Sequence, residues 1–143
     1  MEIFLQNKTD KQVDEKRIRE LVANIAQEEL RSLPDGALNI VLTDDDEIQR
    51  INNLYRGKNH PTDILTFEYG LDQDVLGDMM ISLETVERQA PDFENTFEEE
   101  LLYIVIHGVL HLLGFEHEET DDISSEQMIM KQSEYFARYV KER

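Results

Sequence analysis

One segment of the chain, residues 96–114, is apolar around almost its entire circumference. Thr96 and Glu99 have the spacing of a capping box, which opens a helix, and Gly114 is a residue type that commonly ends one. Nine of the thirteen positions from 101 to 113 are Leu, Ile or Val, so the single apolar stripe of a surface helix is missing. Such a helix has to be covered on all sides. The segment therefore predicts a central, buried helix with other elements packed around it.

The remaining segments alternate between strand-like and helix-like patterns. Strands are predicted at residues 2–7, 37–43, 64–69 and 76–83, and further helices at about 14–32, 44–55, 84–89 and from 124 onward. The last helix shows a second capping-box pattern that starts at Ser124. A short polar turn between the last two strands favours their antiparallel pairing, and Gly77 in the second of them indicates a bulge or a close backbone approach. The order predicts an α/β fold, a small mixed β-sheet packed by helices, in one domain over residues 1–143.

Composition excludes several classes of function. Acidic residues outnumber basic ones by 32 to 14, and the formal net charge of −18 argues against a broad basic surface for nucleic acid. The absence of cysteine excludes disulfide scaffolds, Cys-based zinc fingers, thiol nucleophiles and iron–sulfur clusters. The longest apolar run is too short to span a bilayer, and the first residues lack the features of a signal peptide. We therefore expect a soluble, cytoplasmic protein with no membrane partner.

Three of the four histidines lie within eleven residues, at positions 107, 111 and 117. His107 and His111 are four residues apart on the predicted helix, so both imidazoles lie on one face. Gly114 allows the chain to turn back, which lets His117 approach the same point. Two core histidines with ordinary hydrogen bonds are the alternative, but a shared metal ion removes the penalty of burying two imidazoles.

Three neutral nitrogen ligands with an open fourth position are typical of a catalytic zinc site, in which a bound water becomes acidic. The pattern therefore predicts one Zn²⁺ held by His107, His111 and His117. Nickel, copper or iron also accept imidazole ligands, so another divalent transition metal stays an alternative.

The histidine spacing resembles that of the metzincin proteases, which place a general-base Glu directly after the first His. That position is Gly108 here, which argues against proteolysis. Glu116, beside His117, is a candidate carboxylate close to the metal or the substrate. An equally good interpretation makes it part of a solvated acidic loop with Glu118 and Glu119.

A second group of polar residues, 53–67, joins the end of a helix to a strand. Residues 59–130 contain a single basic residue, Arg88, so Arg56 and Lys58 are among the few cations available to meet an anion. Arginine binds phosphate oxygens with two parallel hydrogen bonds. On composition alone, an ordinary surface position explains Arg56 better than a functional one does. His60 is a candidate substrate contact or a plain loop residue.

Taken together, these motifs resemble the YbeY family of metal-dependent endoribonucleases, also called rRNA maturation factors. The resemblance is carried by residues 53–67, 76–82 and 107–117 and extends over essentially the whole chain. It implies that the three histidines ligate zinc and that Arg56 is a functional, catalytic arginine. It also implies cleavage of single-stranded RNA in ribosomal RNA maturation, notably at the 3′ end of the small-subunit rRNA, and a role in ribosome quality control.

The mechanism expected from this resemblance uses the metal to polarise a water or a phosphate oxygen, while Arg56 stabilises charge in the transition state. Because the chain is so acidic, we expect a small RNA footprint around Arg56 and Lys58. The ribosome or a ribosomal protein is then the partner that supplies most of the docking energy. Two alternatives stay open: a zinc metallohydrolase of the peptidase type, and a non-catalytic ribosome-assembly factor stabilised by zinc.

Overall fold

The computed structural model of the protein describes residues 1–114 and 122–142, the side chains of 122–125 excepted. The strands are β1 (Glu2–Asn7), β2 (Ala37–Thr43), β3 (Ile64–Glu68) and β4 (Val75–Ser82), and the helices are α1 (Glu15–Glu29), α2 (Asp45–Arg56), α3 (Leu83–Gln89), α4 (Phe97–Leu112) and α5 (Asp122–Phe136). A 3₁₀ turn, Ala90–Phe93, joins α3 to α4, and a π-helical turn, Ala137–Lys141, follows α5. The predicted α/β domain with a mixed sheet and packed helices is confirmed.

The four strands form one sheet in the order β1-β2-β4-β3. β2 pairs in parallel with both β1 and β4, whereas β3 is antiparallel to β4, as the polar turn between them predicted. The bulge expected near Gly77 is also present. Ala37 pairs with Val75 but Leu38 pairs with Gly77, so one residue of β4, Leu76, is left over at that point.

Helix α4 lies in the centre of the domain, as its sequence predicted. Thr96 and Glu99 form both hydrogen bonds of the capping box, at 2.9 and 3.1 Å. Along one face of the sheet α4 packs beside α1 and is flanked by α3 and α5, and most of its apolar side chains are fully buried. The free energy of the fold therefore depends on covering this one helix.

Two boundaries differ from the sequence prediction by more than one residue. Helix α1 ends at Glu29 because Leu30 adopts an extended conformation. The capping box predicted at Ser124 is wrong, since α5 begins at Asp122 and Ser124 lies inside it. A capping-box pattern does not start a helix where the residues before it already adopt helical geometry.

Two glycines allow α4 to lie directly on the sheet. A Cβ at Gly108 would lie 2.7 Å from Ile64 Cδ1 and 2.7 Å from Met79 Cε. A Cβ at Gly77 would lie 2.6 Å from Leu112 Cδ2 and 2.8 Å from a carbonyl oxygen of β3. The histidine-bearing half of α4 therefore lies over β3 and β4. Within the part of the chain that the structure describes, none of the helices has the length and apolar character needed to cross a bilayer.

We expect Gly77→Ala to destabilise the fold by roughly 1–3 kcal/mol, because the added methyl group meets a backbone oxygen that cannot move without separating two strands. Urea unfolding followed by circular dichroism measures the loss. Gly108→Ala is the matched control: its methyl group meets the ends of flexible side chains, and alanine gains about 1 kcal/mol of helix propensity. A Gly77→Ala protein as stable as Gly108→Ala would contradict this account of the packing.

A second prediction concerns pH. Lys8 Nζ donates to both carboxylate oxygens of Glu47 at 2.7 Å, and Thr43 Oγ1 donates at 2.9 Å. The Lys8 ammonium, helped by the Thr43 hydroxyl, lowers the pKa of Glu47 below its ordinary value. We expect Glu47→Gln to lose about 1 kcal/mol of stability at pH 7.

Because the pKa of Glu47 is lowered in the folded state, its contribution is complete above the unfolded value of 4.5 and disappears as the pH falls through the folded value. Urea unfolding of both proteins from pH 7 to pH 2 should show the two curves converging in acid. Glu20→Gln is the control, since the carboxylate of Glu20 lies 3.9 Å from an exposed Lys16. A difference that stays constant down to pH 2 would contradict the assignment.

Candidate metal and substrate site

His107 and His111 direct their imidazoles at each other from consecutive turns of α4. Their Nε2 atoms are 3.0 Å apart, their ring centroids are 4.5 Å apart, and both residues are half-buried. Two nitrogen ligands at zinc–nitrogen distances of about 2.0–2.1 Å in tetrahedral geometry lie about 3.3 Å from each other. The pair is therefore already near the separation that one shared metal ion requires.

The second nitrogen of His107 is held by α5. His107 Nδ1 lies 3.0 Å from Oε1 of Gln132, whose side chain is buried. An amide oxygen only accepts hydrogen bonds, so a hydrogen bond between these two atoms requires the hydrogen on Nδ1 of His107. Gln132 was not among the site residues predicted from the sequence. The available signal was its position one turn after Met128 and one turn before Tyr135, which makes it a polar residue on the buried face of α5.

The donor set fits a metal ion. Two imidazole nitrogens converge, and one ring is fixed through its other nitrogen by a carbonyl-type oxygen, which is the usual environment of a ligating histidine. The predicted third ligand, His117, and the candidate carboxylate Glu116 lie outside the described residues. Among the residues that are described, no group of three His, Cys, Asp or Glu side chains is gathered for a metal.

The position after the first histidine faces the core. A side chain at Gly108 would contact Ile64 and Met79 on the sheet. A carboxylate in that place could not serve as the general base that the metzincin pattern requires at this position. The structure thus gives a packing reason for the glycine and adds to the argument against a peptidase.

Arg56 lies at the free edge of the sheet. It is the last residue of α2, which ends because Gly57 adopts a left-handed conformation with φ 68°. Its Nη2 donates to the backbone oxygen of Thr66 at 3.1 Å, and its guanidinium carbon lies 5.8 Å from the centre of the Phe67 ring. Both residues belong to β3, the edge strand on which α4 packs at Ile64. Arg56 and the histidine pair therefore flank the same strand.

Lys58 and His60 are exposed in the loop that follows. Within the described residues, the Lys58 side chain makes no hydrogen bond or ion pair, and the ring of His60 contacts the backbone oxygen of Pro61 at 3.0 Å. The loop is held against α2, because the buried Asn52 of that helix donates a hydrogen bond to the backbone oxygen of His60 at 3.0 Å. These two side chains are available to solvent.

The opposite face of the sheet holds a groove that the sequence did not predict. Parallel strands are normally covered on both faces, but here α2 covers only part of this face and leaves an open groove of about 880 Å³. Aromatic side chains line it: Phe4, Tyr55, Phe67 and Tyr69. Three of the four are more than half exposed, at 52–67%. An exposed aromatic surface of this size is a candidate binding surface.

Asp78 lies in the floor of this groove. Its carboxylate accepts hydrogen bonds from Asn39 Nδ2 at 2.9 Å and from the Tyr69 hydroxyl at 2.6 Å. The hydrogen bond to Asp78 raises the pKa of Tyr69 to about 12, so the phenol stays protonated at any physiological pH. The polar centre of the groove is thus already paired, and its free surface is mainly aromatic and apolar.

Comparison with known proteins agrees with the resemblance seen in the sequence. The family model described as endoribonuclease YbeY matches residues 4–140. A relative from Petrotoga mobilis named endoribonuclease YbeY is 42% identical over 133 residues, which cover 93% of this chain and 91% of that protein. A relative of the same name from Syntrophotalea carbinolica is 36% identical over 137 residues, covering 90% and 91%.

A solved structure shares the architecture. The solution structure of TM1509 from Thermotoga maritima is similar with a TM-score of 0.69 at 32% identity, over 98% of this chain and 90% of that one. The strands and helices of this chain, whose central helix carries the histidine pair, therefore form an α/β architecture that a solved structure shares. The chain belongs to the YbeY family.

Proposed function

We propose that this protein is a metal-dependent endoribonuclease that cleaves single-stranded RNA in the maturation of ribosomal RNA, notably at the 3′ end of the small-subunit rRNA, and in ribosome quality control. The observation that carries the proposal is the converging imidazole pair on α4 in a chain of the endoribonuclease YbeY family. The relatives supply the reaction class, and the imidazoles supply a place for the metal.

A zinc ion, or another divalent transition metal, would be held by His107, His111 and the predicted ligand His117. When bound, it supplies Lewis-acid activation at the scissile phosphodiester. The protein's own contribution comes from Arg56. Thr66 O engages a single guanidinium N–H group, so others are available to bind phosphate oxygens and to stabilise charge that develops there. Glu116 stays a predicted carboxylate close to the substrate.

The aromatic groove supports a preference for single strands. Unpaired bases can stack on exposed rings such as Phe4, Tyr55 and Tyr69, whereas the bases of a duplex are already stacked and paired. Arg56 lies over Phe67, at the rim where the groove meets the edge strand. A strand whose bases occupy the groove therefore passes a phosphate-binding cation on its way to the histidine side of the sheet.

The charge of the chain supports a limited footprint and a docking partner. With a net charge of −18, long-range attraction to RNA is unfavourable, and few cations lie near the proposed path: Arg56 and Lys58 beside β3, and Arg19 in the lining of the groove. We infer low affinity for naked RNA with a shallow dependence on salt, and a ribosomal surface or protein in the cytoplasm that supplies the remaining docking energy.

The central test is cleavage of a labelled single-stranded RNA, with its duplex as the control substrate. We expect the wild type to cut the single strand, to stop when its metal is removed by a chelator, and to recover when zinc is returned. His111→Ala, purified identically, should be inactive because one metal ligand is gone. Arg56→Ala should lose about 10²–10³-fold in rate. Arg31→Ala, at an exposed arginine of the turn after α1, should cut like the wild type.

Equal cleavage by the wild type and His111→Ala would identify a contaminating ribonuclease and count against the proposal. The same assay repeated on isolated small ribosomal subunits tests the need for a partner. If the wild type stays inert on RNA and on subunits alike, the endoribonuclease proposal fails, and a non-catalytic assembly factor stabilised by zinc takes its place.

The groove generates a separate prediction. Phe4→Ala removes a stacking surface worth roughly 1–3 kcal/mol per base, so we expect KM for single-stranded RNA to rise by about 5–100-fold with little change in kcat. Phe93→Ala is the matched control, because Phe93 is 62% exposed and Phe4 is 55% exposed, but Phe93 lies outside the groove. Equal KM values for the two variants would show that the bases do not stack there.

A further inference from the structure

We propose that Gln132 is a positioning residue for the metal site: its buried amide oxygen fixes the tautomer and orientation of His107. This inference rests on the metal site of the proposed function and assigns to one side chain the role of orienting a metal ligand. Gln132 lies on α5, outside the histidine motif, and reaches His107 from the side opposite to His111.

A neutral imidazole ring such as that of His107 carries a single N–H group, on Nδ1 or on Nε2. The oxygen of Gln132, 3.0 Å from Nδ1, requires that hydrogen on Nδ1. Nε2 of His107 is then unprotonated, and it is the atom that faces His111 at 3.0 Å. The amide of Gln132 thus selects the tautomer in which the facing nitrogen can bind a metal ion.

The packing of α5 holds Gln132 in this place. Lys131, directly before Gln132, and Tyr135, one turn after it, both donate hydrogen bonds to Glu29 at the end of α1, with Lys131 Nζ at 3.0 Å. The Glu29 side chain is only 8% exposed, so this is a well-covered anchor. Met128 and Tyr135 are buried on the same face of α5 as Gln132. Together these contacts fix the rotation of α5 about its axis.

A second contact fixes α5 against α4. Tyr103, one turn before His107, packs edge to face on Phe136, one turn after Gln132, with ring centroids 5.1 Å apart. The two helices are therefore in register over two successive turns. α5 cannot separate from α4 near Gln132 without breaking this aromatic pair, which adds stability beyond the burial of the two rings.

The choice of an amide has a chemical consequence. A carboxylate in the same place also accepts from Nδ1–H, and in addition raises the basicity of the ring and its affinity for metal. Gln132→Glu should therefore keep the tautomer and bind zinc at least as tightly as the wild type. Gln132→Met, which has a similar shape and no strong acceptor, should lose both properties.

The first experiment needs neither metal nor activity. Long-range ¹H–¹⁵N correlation spectra of the metal-free protein at pH 8 report which nitrogen of His107 carries the hydrogen. We expect the Nδ1–H form in the wild type and in Gln132→Glu, and a mixture or the Nε2–H form in Gln132→Met. A wild type in the Nε2–H form, or a Gln132→Met protein with the wild-type spectrum, would overturn the proposal.

The second experiment is zinc affinity, measured by competition with a chromophoric chelator. Gln132→Met should bind zinc about 10–100-fold more weakly than the wild type. Gln127→Met is the control, because Gln127 is an exposed glutamine of the same helix and should leave the affinity unchanged. Circular dichroism establishes that each variant is folded. If Gln132→Met does not fold, the zinc affinity of Gln132→Glu becomes the deciding measurement. Weaker zinc binding by that variant than by the wild type overturns the proposal.

The two proposals fail in different ways. A wild type that binds no zinc overturns the metal site and with it the purpose assigned to Gln132. A wild type that binds zinc while Gln132→Met binds it equally well overturns the role of Gln132 alone and leaves the metal site standing.

Discussion

The burial of α4 is the constraint on which the rest of the structure depends. A helix that is apolar on nearly every side is stable only when the sheet, α1, α3 and α5 all cover it. The two imidazoles in its second half are polar groups in this environment, and such groups have to be satisfied by partners. They find them in each other and in Gln132. Covering α4 therefore both stabilises the fold and brings together the partners of the two imidazoles in the candidate site.

Much of the fold could be predicted from local patterns. Strand β2 and the capping box of α4 were predicted at the residues where they occur, because hydrophobic period and cap chemistry act over a few residues. The start of α5 could not be predicted in this way, since the helix begins at Asp122, two residues before the capping-box pattern at Ser124. Helix termini depend on small differences among neighbouring conformations, which a sequence pattern does not rank.

The candidate site likewise has a part that follows from the local sequence and a part that depends on how the elements pack. The proximity of His107 and His111 follows from helical spacing alone. The partner of His107 on α5 is 25 residues away in sequence and is set by the packing of two helices, so no motif contains it. The aromatic groove was missed for a related reason: its side chains come from α1, α2, all four strands and the turn after β3, and they share a surface only after the sheet has formed.

Arg56 has a further consequence for the behaviour of the protein in solution. Alternate residues of β3 bond to β4, as shown by Ser82 N donating to Asp63 O and Tyr69 N donating to Leu76 O, so the carbonyl of Thr66 faces away from the sheet. An open edge strand is a template on which another chain can add a strand and begin aggregation. By occupying that carbonyl, Arg56 removes one of the outward-facing acceptors that an added strand would use. The side chain proposed to bind phosphate therefore also protects part of the open edge of the sheet.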